Sequence, residues 1–280
     1  MSFWLEPGLA DKLPATADMD TVFDLQGDLY RNLPDRQTLK ANLAGRTVFI
    51  KRHLGVGWRE IVKNLVQLRL PVVSARNELN AIRRLESLGV DTLHCAGFGE
   101  SGGSPASRKS FIITNDLVGS VSLEEYCQNW QDQPVNPARW RLKRSLLSQL
   151  ANIARQLHDN GVNHRDFYIC HFHVWPEQLA TPAVPEKKVV LIDLHRVQLR
   201  RHLPRRWRLK DVAGLYFSAM DVGLTQRDCL RFISQYRSVP WAVELRDHAE
   251  FWRQVEREAR RLYFKAHGRY PGIGWPRLQQ

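Results

Sequence analysis

The chain has 280 residues, 43% of them hydrophobic, and a formal net charge of +12 at pH 7. That length and apolar content suit one large domain or two small lobes around a buried core, and they exclude general disorder. The charge points to a polyanionic partner, leaving nucleic acid, an anionic membrane surface, a phosphorylated glycan and an acidic protein open. Cys95, Cys127, Cys170 and Cys229 lie far apart without a CxxC pair, so neither a zinc site nor a disulfide framework is expected, and a reducing compartment fits. The opening "MSFWLEPGLADKLPATADMD" has no basic stretch followed by a long apolar run, and nowhere do 18 uncharged apolar residues follow one another. A cytoplasmic protein that does not span a membrane is the expectation.

In chain order, "VFDLQGDLYRNLPDRQTLKANLAGRTVFIKRH" alternates short apolar segments with turn chemistry at "NLPDRQ" and "LAGR", which predicts three antiparallel strands ending at "TVFIK". A helix follows with Leu79, Ile82 and Leu85 on one face, Glu78 just before that face begins, and Gly89 as a left-handed stop. "HCAGFGE" and "SFIITNDL" read as two more strands around a polar turn. From about Val118 the helical period takes over: Ser122 with Glu125 has the spacing of a capping box, and Leu146, Leu150, Ile153 and Leu157 line a longer helix that ends at Gly161. Two strand-like runs, "FYICHFHV" and "KVVLIDL", then form a hairpin across the Pro-rich "WPEQLATPAVPEK", and the rest is helical, ending in a basic amphipathic helix from about Leu245 to His267. This order predicts an α+β fold on the bilobal protein-kinase-like plan. Residues 1–117 form a small β-rich N-lobe, a five-stranded sheet plus one helix, and residues 118–280 a larger, mainly helical C-lobe.

Phosphoryl transfer from ATP needs a cation on the nucleotide phosphates, carboxylates for magnesium and a base for the acceptor hydroxyl. Lys51 ends the third strand, where such a lysine reaches the phosphates, and Glu78 on the following helix is placed to hold it. A surface lysine at a strand end is the alternative for Lys51 taken alone. "HRDFYICH" has the form of a catalytic loop with Asp166 as base, but His171 stands where kinases carry a magnesium-binding asparagine. Neutral imidazole ligates metals while magnesium prefers oxygen, so a metal ligand and a hydrogen-bonding residue both remain open for His171. A zinc site from His164, Cys170, His171 and His173 is disfavoured because successive strand residues point to opposite faces. Asp193, ending the apolar strand "VVLIDL", takes the position of a magnesium carboxylate, with Leu194 and His195 in place of Phe-Gly. A strand-terminal Asp capping a turn is the plainer alternative. Two parts of a protein kinase are missing: the first hairpin turn has no GxGxxG, leaving Arg31, Arg36 or backbone amides as cover, and no APE motif follows Asp193.

"VNHRDFYICHFHV", "LIDLHRVQLR", "PRRWRLKDVAGLYFSAMDVGLTQRD" and "EIVKNLVQLRLPVVSARNELNAIRRL" together resemble the lipopolysaccharide core heptose kinases, over roughly Val22 to Tyr263. The resemblance implies an ATP- and Mg2+-dependent enzyme of the protein-kinase-like superfamily. It would phosphorylate a heptose hydroxyl of the inner core, with O4 of the first heptose expected, at the cytoplasmic face of the inner membrane. By motif match Asp166 is the catalytic base, Lys51 and Glu78 position the nucleotide, and Asp193 binds the metal, with His171 as a candidate second ligand. Phe167 stands where family members carry Cys and His173 where they carry Leu, changes that could mark a paralogue acting on another core sugar. Within the basic segment "RVQLRRHLPRRWRLK", Arg196, Arg200, Arg201, Arg205 and Arg206 are candidates for acceptor recognition, since guanidinium forks suit phosphate and carboxylate; a solvated face is the alternative. Asp211 is placed to anchor the catalytic loop. The implied partners are the inner-core glycolipid and an anionic membrane surface, with an acidic protein also open and nucleic acid not expected. The last helix could lie on anionic lipid, but packing on the large lobe is the favoured expectation. A protein or tyrosine kinase and a pseudokinase-like binding module are the competing readings.

Overall fold

The computed structural model describes residues 2–11, 13–14, 16–33, 35–43, 45–55, 57–58, 74–132, 136–180 and 188–273. The stretch 60–73 of one quoted motif and residues 181–187 of the Pro-rich connection lie outside them. The chain divides into two units: residues 1–86, 92–118 and 194–196 form the first, and 87–91, 119–193 and 197–280 the second.

The first unit is built on an antiparallel sheet of β1 (Ser2–Leu5), β2 (Asp28–Leu33), β3 (Arg36–Leu43), β4 (Arg46–His53), β5 (Cys95–Ser101) and β6 (Lys109–Asn115), in the order β1-β5-β6-β4-β3-β2. The expected sheet had five strands. The sixth is β1, which pairs Ser2–Leu5 with Glu100–Gly97, and its four residues are too few for a period-2 pattern to register. Along β4, Val48, Ile50 and Arg52 are buried on one face, so Lys51 points to the other. The core under Val48 and Ile50 is completed by Phe111 and Ile113 of β6, Leu9 of α1 (Pro7–Ala10) and Val22 of α2 (Met19–Asp24). Buried Arg52 donates from Nη2 to the carbonyls of Val22 (2.8 Å) and Leu25 (2.5 Å), satisfying the open end of α2. α3 (Arg76–Ser87) turns Leu79, Ile82 and Leu85 inward, as its spacing predicts, and buries Glu78 with them.

In the second unit α4 (Leu123–Cys127) is capped by Ser122, whose side chain accepts from the Glu125 amide at 3.1 Å. α5 (Pro137–Asp159) starts with Asn136 accepting from the Arg139 amide at 2.8 Å, and it buries Leu146, Leu150, Ile153 and Leu157. Its stop, Gly161, has φ 74°, and a Cβ there would sit 1.9 Å from the Arg200 carbonyl oxygen. Only glycine permits that approach, which lets β8 (Val162–Asn163) pair with β11 (Gln198–Leu199). The expected hairpin exists in shortened form. β9 (Phe172–Val174) pairs with β10 (Val190–Leu191), and β7 (Val121–Ser122) lies along the other side of β9. Residues 169–171 are a 3-10 turn rather than strand, because the loop before them is tied down elsewhere. After α6 (Pro176–Ala180), α7 (Arg205–Ser218) and α8 (Gln226–Arg237) follow. The expected single terminal helix is broken at His248 into α9 (Trp241–Asp247) and α10 (Ala249–His267). α10 turns Trp252, Val255, Ala259 and Tyr263 inward, and the Trp252 indole donates to Glu244 Oε1 at 3.0 Å. No helix among the described residues is long and apolar enough to cross a membrane.

Candidate active site

In the sheet unit, Lys51 Nζ donates to Glu78 Oε1 at 2.6 Å. Glu78 is 1% exposed, and its second oxygen is buried without a hydrogen-bond partner. A carboxylate so desolvated depends on its one ion pair, so the pair holds the lysine in a fixed position. Leu194–Arg196 cluster with this unit, where Asn77 Nδ2 donates to the His195 carbonyl at 2.7 Å.

The catalytic-loop residues lie in the helical unit. Asp211 of α7 accepts from the His164 amide at 2.7 Å and from the Arg165 amide at 3.0 Å, which is the anchoring expected of it. It also faces His158 Nε2 at 3.4 Å. Arg165 has φ 75° and Asp193 φ 62°, conformations a non-glycine residue holds only when its surroundings over-determine them. For Arg165 the grip on its amide is that constraint. Further along, the Ile169 amide donates to Ser218 Oγ at 2.9 Å, a second tie to α7. His164 is fully buried, and burial lowers its pKa, so the ring is neutral. Its Nε2 donates to the Ile192 carbonyl at 2.9 Å, joining the loop to the strand that ends in Asp193.

The three histidines of "HRDFYICHFH" have three separate jobs. His164 ties the loop to Ile192. His173 contacts Ser120 Oγ through Nδ1 at 2.9 Å. His171 donates from Nδ1 to the Asp166 carbonyl at 2.7 Å, and its Nε2 lies 3.5 Å from Asp193 Oδ2. With Nδ1 engaged by the Asp166 carbonyl, Nε2 is the ring atom that faces the Asp193 carboxylate. Asp193 offers the carboxylate oxygen that magnesium prefers, with His171 beside it, and among the described residues no cluster of three or more His, Cys, Asp or Glu side chains surrounds the pair.

Phe167, one of the two departures from the family pattern, is 1% exposed and packs 5.2 Å from the Phe172 ring, 5.8 Å from His164 and 6.0 Å from His158. It fills the core beneath the loop, so its identity bears on packing. Of the arginines, Arg196 belongs with the first unit, and Arg200, Arg201, Arg205 and Arg206 with the second. Arg200 donates to Asn163 Oδ1 and Gln198 Oε1 and braces β8 against β11; desolvation lowers its pKa, and Arg206 adds to that. Arg205 reaches Gln254 at 2.7 Å and lies over Phe251, while Arg201 and Arg206 are exposed. Residue-by-residue reading missed Trp207, whose ring is flanked by Arg200, Arg206 and Lys210 at 4.9 to 5.5 Å. An indole inside "RRWRLK" was the available signal. All four cysteines are free; burial pushes the thiols of Cys95, Cys127 and Cys229 up to about 12 and that of Cys170 to about 11.

A lysine locked to a buried glutamate in a β-rich unit, with a braced Asp166 loop linked to Asp193 in a helical one, defines a kinase-like phosphotransferase. The chain belongs to the lipopolysaccharide kinase (Kdo/WaaP) family, whose sequence model matches residues 20–236, and it is an ATP-dependent sugar kinase. It is 46% identical over 244 residues to the lipopolysaccharide core heptose(I) kinase WaaP of Pseudomonas aeruginosa, covering 87% of this chain and 89% of that protein. To the protein of the same name from Escherichia coli strain K12 it is 49% identical over 219 residues, 78% of this chain and 81% of the other. A solved structure described as WaaP in complex with acyl carrier protein superposes with a TM-score of 0.78 at 40% identity, covering 94% of this chain and all of that one.

Proposed function

We propose that this chain phosphorylates a heptose of the lipopolysaccharide inner core, at O4 of the first heptose, using ATP and magnesium at the cytoplasmic face of the inner membrane. The observation that carries the reading is the His171 ring spanning the Asp166 carbonyl and the Asp193 carboxylate, which links the proposed base to the proposed metal ligand. The heptose(I) kinase relatives supply the acceptor. Bound ATP with its magnesium would supply the transferable phosphoryl group and neutralise its charge. Lys51, held by Glu78, positions the nucleotide phosphates. Asp193 would hold the cation, and His171 lies between its carboxylate and the loop carbonyl of Asp166. Asp166 orients the acceptor hydroxyl and takes its proton as that oxygen bonds to the γ-phosphorus of ATP and the bond to the departing ADP breaks. Arg201 and Arg206 are proposed to meet anionic groups of the core, a reading supported by their exposure and by the fit of guanidinium forks to phosphate and carboxylate.

Two assays test the reading. Core oligosaccharide from cells with and without the gene is compared by mass spectrometry, with fragmentation to place the phosphate; an unchanged phosphate content overturns it. With purified protein, Asp166→Ala lowers transfer to the glycan by roughly 10²–10⁴-fold. Unchanged turnover removes Asp166 from the mechanism.

An acidic carrier protein is the proposed partner, supported by the +12 charge and by the similar structure solved with acyl carrier protein. Co-expression with tagged acyl carrier protein reads this directly. A complex that survives low salt and falls apart as ionic strength rises is the expected result.

A further inference from the structure

α5 and α8 pack side by side, and two contacts fix their spacing. Lys143 of α5 donates to Asp228 of α8 at 2.5 Å, and Ser148 of α5 donates to Gln235 of α8. Asp228 also accepts from Arg231 and closes the capping box with Thr225. On the outer side of this pair lies a groove of about 500 Å³. Arg144, Arg227 and Arg231 line it with Ser145, Ser234 and Trp241. Trp140 stands nearby with the Arg144 guanidinium 4.5 Å and the Arg231 guanidinium 5.8 Å from its ring, so two of the three forks are pre-oriented by one indole. Among the described residues, neither Arg144 nor Arg227 meets a carboxylate.

Two exposed indoles accompany the arginines, Trp241 in the lining at 38% and Trp140 beside it at 42%. Membrane binding asks for a convex apolar face, whereas this groove sets three arginines, three serines and Gln235 beside Leu147, Leu230 and Trp241. The size falls within the roughly 300–1,000 Å³ range of small-ligand sites. Its chemistry combines forks for phosphate or carboxylate, hydroxyls and an amide for sugar hydroxyls, and an indole for the apolar face of a pyranose.

We propose that the α5–α8 groove is a second glycan site that takes an anionic saccharide. The inference deepens the kinase reading and rests on it for the source of the saccharide, the glycan of the acceptor itself. The groove uses none of the residues placed in the phosphotransfer site. It would hold a sugar away from the reacting hydroxyl and so raise acceptor affinity without touching the chemical step.

Calorimetric titration tests this on the full chain carrying Asp166→Ala, so that no turnover occurs. The probes are delipidated core oligosaccharide, neutral maltotetraose, and phosphatidylglycerol vesicles. Arg144→Ser combined with Arg227→Ser, both exposed positions, is expected to weaken oligosaccharide binding at least tenfold, and Trp241→Ala to act in the same direction. Maltotetraose should not bind. In the otherwise wild-type enzyme the double variant raises KM for acceptor and leaves kcat at saturation unchanged. Unaltered oligosaccharide affinity in the double variant overturns the inference, as does binding of vesicles but not oligosaccharide. Loss of glycan phosphotransfer with groove-dependent binding intact would instead overturn the kinase reading alone.

Discussion

His171 stands five residues after Asp166, where a protein kinase has asparagine, and its ring reaches from the Asp166 carbonyl to the Asp193 carboxylate. An asparagine side chain is shorter, and it offers an NH2 donor and an oxygen acceptor where histidine offers two ring nitrogens. His171→Ala is therefore expected to lower activity roughly 10–100-fold, the usual effect of removing a group that orients a metal ligand, and to raise the magnesium concentration needed for half-maximal rate. His171→Asn should recover part of both. Equal magnesium dependence in all three proteins would show that the ring orients nothing. Asp211 is the second residue on which the loop depends. Asp211→Ala leaves two amides, His164 and Arg165, without acceptors in a buried site, a loss of roughly 3 kcal/mol from hydrogen bonds to a charged group, read as a drop in urea midpoint. Asp211→Asn keeps one acceptor oxygen and should fall between.

At the scale of elements, the Lys51–Glu78 pair joins β4 to α3. Breaking a buried pair from one side leaves an unpaired charge, so Lys51→Met should destabilise the protein by roughly 3–5 kcal/mol as well as remove activity. Lys51→Met with Glu78→Leu should regain most of that stability and none of the activity, a split that calorimetry and kinetics read separately. The elements carrying these residues were legible because their signals are local. Leu79, Ile82 and Leu85 repeat at helical spacing, and "TVFIK" is a short apolar, β-branched run just after the turn residues "LAGR". Elements set by distant partners were not legible. β1 is strand only because β5 pairs with it, and residues 169–171 turn because Ser218 and Asp211 hold the loop ahead of them. The break at His248 has a comparable cause: His248 Nδ1 lies 3.0 Å from Glu244, which also accepts from Trp252 and pairs with Arg237 at 2.9 Å. Three groups from different turns converge on one carboxylate, and the chain bends there.

Across the whole molecule, buried histidines make the fold sensitive to acid. Burial lowers the pKa of His53 to about 4, with Arg36 opposite it on β3 adding to the shift, while Glu78 and Asp35 act against it. The unfolded chain takes up that proton near pH 6.5, so between pH 6.5 and about 4 it holds more protons than the folded one. Stability therefore falls as the pH drops through that window, by about 3 kcal/mol, and levels off below it. His164 shifts in the same direction. Urea titrations at pH 7, 5.5 and 4 should show this loss in the wild type and a shallower one in His53→Gln. An equal slope in both proteins would mean that His53 is not the group responsible.

The sequence by itself determined the α+β class, the passage from strands to helices and the residues whose type points to phosphoryl transfer: Lys51, Asp166 and Asp193. Each follows from periodicity or from a charge within a few positions of a strand end, information that neighbours along the chain carry. The tertiary structure alone decided what those residues touch. It spent Arg200 on Asn163 and Gln198, buried Phe167 beneath the loop, gave His164, His171 and His173 different partners, and set Arg144, Arg227 and Arg231 along one groove. Those outcomes depend on contacts between residues far apart in the chain, where direction and burial select the partner and residue type alone does not.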